Sequence, residues 1–167
     1  MIKSLDDFRS HWAWESDITS KLIGGLTDAS LAQAIVPGAR TLGRLAWHLA
    51  QTIPEMMGSA GLHVTGVDPH APTPATVTAI QSAYQAASAS LLEQIAAQWT
   101  DATLSEERDM YGERWTVSQT LLALLLHQVH HRGQMTVLMR QAGLAVPGIY
   151  GPAKEEWAAM GMEPPTV

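Results

Sequence analysis

The stretch from Trp115 to Gly143 constrains the chain most, because it reads as one long helix carrying a pair of histidines. Thr116 suits the N-cap, and Gly143 suits the left-handed turn that ends a helix. Between them Leu121-Leu122-Ala123-Leu124-Leu125-Leu126 is apolar on every side. A helix that is apolar all round is a buried one, so this segment is expected to be the central helix of the fold. His127 and His131 follow one turn apart, where side chains at i and i+4 point the same way. At about 100° per residue, Thr120, Ala123, Leu124, Gln134 and Leu138 share that face, so the imidazoles are expected to look inward.

Such a pair has two readings. One is a pair of core histidines held by hydrogen bonds. The other is half of a metal site, since neutral imidazole is a common ligand and this spacing lets two rings reach one ion. The second reading requires a third ligand from another helix.

At 167 residues and 18.0 kDa the chain is expected to be one domain spanning 1–167. Ala, Leu, Gln and Met are abundant while Phe occurs once and Tyr three times, which favours helix over strand. The net charge of -6, with no run of Lys or Arg, argues against a nucleic-acid partner. Without cysteine there is no disulfide or protein thiolate, and a metal must use His, carboxylate or water. No signal peptide is evident, and the longest apolar run falls far short of the roughly 20 residues needed to cross a bilayer. The expectation is a soluble cytoplasmic protein with no membrane partner.

Along the chain, Ser4-Leu-Asp-Asp7 has the form of a capping box, opening a helix that runs to Gly24-Gly25. Leu5, Phe8, Trp12, Ile18 and Leu22 form its apolar stripe. His11 and Glu15 on it read as an exposed i, i+4 pair. A short helical turn near Asp28 ends at Pro37-Gly38. A second helix starts near Thr41 and reaches Met57, with Leu42, Leu45, Ala46, Leu49, Ile53 and Met56 at helical spacing. Pro54 is expected to kink or loosen it. His48 borders its apolar stripe, with Arg44 and Thr52 one turn away, and is the candidate third ligand.

Residues 58–76 form a Gly- and Pro-rich connection, long enough to join distant helix ends. His63 and His70 in it read as exposed loop residues that could line a mouth over the site. A third helix spans Thr76 to Trp99, with Ile80, Tyr84, Ala87, Leu91, Leu92 and Ile95 inward. Arg108 to Trp115 reads as an extended piece or hairpin. A brief helix from Ala153 to Met160 is expected to close one end. The tryptophans read as core and interface filler. Four long amphipathic segments with one lengthy connection describe an all-α four-helix bundle, a fold that builds metal sites between facing helices. That gives His48, His127 and His131 a place to meet.

These features resemble the DinB-like, or DinB/YfiT, four-helix bundles. The likeness lies in Trp14, in Leu45-Ala-Trp-His48-Leu-Ala, in His127-x-x-x-His131-Arg-Gly-Gln134 and in the Arg140-Gln-Ala-Gly helix end. Val146-Pro-Gly and the final short helix also match, and the likeness covers nearly the whole chain. Where the family often has Trp-x-Asn in the first helix, Ser16 stands here. The resemblance implies a divalent metal (nickel or zinc first, iron or manganese in other members) held by His48, His127 and His131. It also implies a small-molecule substrate, thiol transfer from a low-molecular-weight thiol, and a homodimer. Some thiol-dependent isomerases of the wider group carry Glu at the first position of the pair; His127 indicates the all-histidine type.

Gln134, His130 and Thr52 are candidates to hold the outer ring nitrogens of the ligands, which metal-bound histidines need oriented. Gly133 inside a helix costs about 1 kcal/mol against Ala, so close approach of another helix is expected there. Arg132 turns away from the histidine face and reads as a surface or dimer contact. Two other readings stand beside thiol transfer. One is metal-dependent hydrolysis, for which the metalloprotease HExxH pattern is absent. The other is a non-catalytic metal- or ligand-binding stress protein.

Overall fold

The computed structural model describes residues 2–166. Helix α1 covers Leu5–Gly24, α2 Leu42–Ser59, α3 Val77–Gln98 and α4 Val117–Gln141. A hairpin of β1, Glu107–Met110, and β2, Glu113–Thr116, precedes α4, pairing Glu107 with Thr116 and Met110 with Glu113. The expected bundle and hairpin are both present.

The helices begin where their first unpaired N–H groups find a side-chain oxygen. Ser4 Oγ accepts from Asp7 N–H at 3.0 Å, Thr41 Oγ1 from Arg44 N–H at 3.1 Å and Thr116 Oγ1 from Gln119 N–H at 3.2 Å. At the far end of α4, Gly143 takes φ +73° and Leu144 N–H reaches back to the Met139 carbonyl at 2.9 Å. That is the left-handed stop the sequence predicts.

Cross-helix bonds fix the directions. Ser118 bonds the Ile2 carbonyl and Arg132 meets Glu15, so α1 and α4 run parallel. Leu5 N–H reaches Asp101 and Trp12 Nε1 reaches Ser88, so α3 runs against α1. His48 faces His131, and Glu55 meets Tyr111 just before α4, so α2 runs against α4. It follows that α2 and α3 are parallel neighbours, and the chain between them must return along the bundle. Residues 60–76 do this: Thr65 N–H binds Ser90 Oγ, Gln51 Nε2 binds the Pro69 carbonyl, and Trp47 Nε1 binds the Ala71 carbonyl. The length read from the sequence is therefore a topological need. Trp12, Leu49, Ile53, Tyr84, Leu121 and Leu124 are fully enclosed between the four helices.

Two expectations differ from the structure, those for α4 and for the C-terminal helix. Helix α4 is not buried all round: Leu121, Leu124 and Leu125 are inside, but Leu126 is 58% exposed and Val137 50%. A four-helix arrangement gives a corner helix only two neighbours, so one side of α4 is left without a partner. Helix α2 continues through Pro54 to Ser59, and Gly66 of the returning segment lies against that proline. The C-terminal helix from Ala153 shrinks to a single 3₁₀ turn, Ala158–Met160, with no buried residue. So short a segment has no apolar face to hold it helical.

Candidate metal centre

The antiparallel contact of α2 with α4 brings His48, His127 and His131 together, with one ring nitrogen from each lying within 4.8 Å of the others. His127 Nε2 and His131 Nε2 are 3.1 Å apart, and the His48 ring stands edge-on to both, at centroid distances of 4.9 and 4.8 Å. Gln134 Oε1 accepts from His131 Nδ1 at 2.7 Å. An amide oxygen can only accept, so the proton sits on Nδ1 and the Nε2 lone pair is bare and turned into the group.

Burial, before anything else, holds these rings neutral. It lowers His48 to about 3, helped by the other two histidines and by Arg40 and Arg44. His127 falls to about 4 for the same reasons, with His131, His130 and Arg40 adding to the effect of burial. His131 is also lowered, against the opposing pull of the Gln134 bond. At neutral pH all three therefore offer lone pairs.

The residues fit a divalent ion. Zinc–imidazole bonds of about 2.0–2.1 Å set tetrahedral nitrogen ligands about 3.4 Å apart, close to the spacing of the α4 pair. His127 Nδ1 is buried without a hydrogen-bond partner. Leaving such an atom unpaired costs about 1–3 kcal/mol.

Of the outer candidates, Gln134 touches His131 as expected and also lies 3.2 Å from His130 Nε2. His130 is exposed and stacks edge-on to His131, so it reaches the group only through that ring and Gln134. Thr52 bonds the Leu49 carbonyl of its own helix, not His48. His11, His63 and His70 are exposed and take no part in the group.

Two networks beside the histidines went unread in the sequence. Gln128 is fully buried; it accepts from Tyr84 Oη at 3.2 Å and donates to the Leu49 carbonyl at 3.4 Å. It thus ties α3 and α2 to α4 next to His48 and His127. Arg132 is the second. It is not a surface residue but 1% exposed, paired with Glu15 and bonded to the Glu15 carbonyl at 2.7 Å, Thr19 at 2.9 Å and Tyr150 at 2.6 Å. Glu15, which reads in the sequence as one of an exposed pair, is its carboxylate. The available signal was the stripe Leu125, Gln128, Arg132, Met135 and Met139, a second buried face of α4. Gly133 has no atom within 4 Å of where a Cβ would stand, so no helix approaches it.

A cavity of about 450 Å³, a volume suited to a small molecule, adjoins the group through Gln134, which bonds His131; the three histidines themselves are not in its wall. Ile35, Leu45, Val137 and Leu138 form its apolar wall, and Arg40 and Gln134 are its polar members.

The chain matches the DinB family over residues 1–166. It belongs to that family. It is 46% identical over 165 residues to the uncharacterized protein YrdA of Bacillus subtilis (strain 168), covering 99% of each chain. Its fold superposes on a DinB-like protein from Bacillus cereus ATCC 10987 with TM-score 0.87 and 41% identity, over 90% of this chain and 100% of that one. A second DinB-like protein, YjoA of Bacillus subtilis, shares the fold alone: TM-score 0.67 and 19% identity, over 85% and 96% of the two chains. The DinB fold and a three-histidine group able to hold a metal ion therefore stand together. No helix among the described residues is long and apolar enough to cross a membrane.

Proposed function

We propose that this DinB-family chain is a metal-dependent enzyme that transfers a low-molecular-weight thiol to a small electrophile. His48, His127 and His131 would be the ligands, to nickel or zinc before iron or manganese. The observation that carries the reading is a donor set of three neutral imidazoles beside a largely apolar cavity. With no anionic ligand, a divalent ion keeps its full charge, and it supplies the Lewis acidity that favours loss of a proton from a thiol or water placed against it. Because the chain has no cysteine, the sulfur must come from a cosubstrate.

The protein's own residues orient and enclose. Gln134 fixes the proton of His131 on Nδ1, and Gln128 and Arg132 hold α4 in register with its neighbours. Ile35, Val137 and Leu138 exclude water from the apolar part of a substrate. In the transfer the sulfur–carbon bond forms as the leaving group departs with its electron pair, and the thiol proton passes to solvent. Hydrolysis is the second reading, since the same three imidazoles would serve water as well as a thiol. No carboxylate lines the cavity to act as a base, which favours transfer.

The test supplies metal-loaded protein with a small electrophile such as monochlorobimane, with and without bacillithiol or mycothiol. Conjugation that needs both thiol and protein, and falls at least about 100-fold in His131→Ala, is the expected result. Loss of the electrophile at equal rate without thiol would point to hydrolysis.

A homodimer is part of the same proposal. Leu126, Gly133 and Val137 lie exposed on the open side of α4 at i, i+7 and i+11, flanked by the half-buried Leu122 and Val129, and Leu126 is 58% exposed. Sedimentation velocity is expected to give about twice 18.0 kDa for the native chain and the monomer mass for Leu126→Glu. A native monomer would remove this part.

A further inference from the structure

The cavity beside the three histidines contains one full charge that nothing in the fold uses. Arg9, Arg108, Arg114, Arg132 and Arg140 are in ion pairs, and Arg44 donates to Gln51 at 2.9 Å. Among the described residues Arg40 alone of the arginines has no side-chain partner, although it lines the cavity together with Gln134. It sits just ahead of α2, on the segment entering the helix that carries His48. No Asp or Glu lines the cavity. Gln134, the other polar member of that wall, bonds His131 at 2.7 Å, so the cavity that holds Arg40 adjoins the group.

An arginine is a fork of N–H donors matched to a carboxylate, and such pairs are charge-assisted and often bidentate. With the three rings neutral, Arg40 makes this pocket electropositive, and an ion held there would make it more so. The apolar wall of Ile35, Leu45, Val137 and Leu138 is set beside that charge. A ligand that satisfies both is an organic anion with an apolar body.

We propose that Arg40 is the anchor for a small organic carboxylate, whose apolar portion lies along Ile35, Val137 and Leu138 and whose far end faces the histidines. This rests on the reading of the site as a thiol-transfer centre and names the class of cosubstrate: a thiol acid rather than a neutral thiol. Arg40 is exposed and bonded to nothing, so replacing it leaves the fold intact.

Isothermal titration calorimetry with 6-mercaptohexanoate and its methyl ester tests it, on native protein, Arg40→Gln and Arg40→Lys, each as purified and after stripping with EDTA. The native protein is expected to bind the acid about tenfold tighter than the ester, equivalent to about 1.4 kcal/mol. Arg40→Gln should bring the two ligands within about twofold without weakening the ester, and Arg40→Lys should retain part of the preference. Equal binding of acid and ester by the native protein, an acid preference that survives in Arg40→Gln, or no binding of either ligand would overturn the anchor. The metal reading fails separately. If stripping changes neither affinity while the Arg40-dependent preference persists, the anchor stands and the metal reading falls. If stripping weakens both ligands but acid and ester bind alike, the anchor falls and the metal reading stands.

Discussion

Arg132→Met is expected to lower stability by about 3–5 kcal/mol, the usual effect of removing one partner from a buried ion pair. For a chain of this size that corresponds to a fall in Tm of roughly 6–20 °C. The guanidinium is 1% exposed and its Glu15 partner 14%, so the arginine has no water to fall back on and the carboxylate little. Without Arg132, the Glu15 carboxylate keeps only Tyr150 Oη, at 2.8 Å, and the Glu15 carbonyl and Thr19 hydroxyl each lose a donor. Tyr150 belongs to the segment after α4, so the same change loosens the C-terminal stretch from α1. The double variant Glu15→Met with Arg132→Met should recover much of the loss, because removing both charges leaves none buried alone. Thermal unfolding of the three proteins decides the matter; a single variant within about 2 °C of the native Tm would mean the pair holds nothing together.

The second large effect concerns the metal. A divalent ion that binds only the folded chain stabilises it by about 2.7 kcal/mol at a free concentration one hundred times its dissociation constant. Adding nickel or zinc to stripped protein should therefore raise Tm by roughly 5–11 °C, and His127→Ala should abolish the rise. The stripped protein should also be acid-sensitive in a particular window. Burial lowers His48 to about 3 and His127 to about 4, while in the unfolded chain both take protons near 6.5. Above pH 6.5 both states are neutral and the stability is fully present. As pH falls from 6.5 toward 4 and then 3, the unfolded chain binds protons that the folded chain refuses, and stability is lost. His127→Ala should flatten that decline, and thermal melts of both stripped proteins between pH 7.5 and 4.5 show whether it does. Equal slopes would mean the rings are not held neutral by the fold.

What could be read without coordinates follows from how local each feature is. The caps at Ser4 and Thr116 and the stop at Gly143 depend on a few neighbouring residues, and all three are where the sequence puts them. His48, His127 and His131 were found because i, i+4 spacing on one helix, plus one histidine beside an apolar stripe on another, is a helical pattern. Arg132 was misplaced because its surroundings are tertiary. Counting degrees from His131 shows where it does not point, but only the position of α1 shows that Glu15 waits there. Leu126 failed in the opposite sense: an apolar run says which residues avoid water, not how many helices are present to cover them. Gln128 gives no sign of its role in the sequence, because Tyr84 and Leu49 reach it from two other helices. Arg40, in a segment of no regular structure, carries no periodic signal at all.

The most direct measurement is elemental analysis of purified protein, native beside His127→Ala, after reconstitution with nickel and with zinc. If His48, His127 and His131 hold a divalent ion, the native chain carries close to one equivalent and the variant less than about a tenth of that. Equal metal in both proteins, or none in either, would contradict a three-histidine metal centre and leave a helical bundle with three clustered imidazoles, one buried and two half-buried.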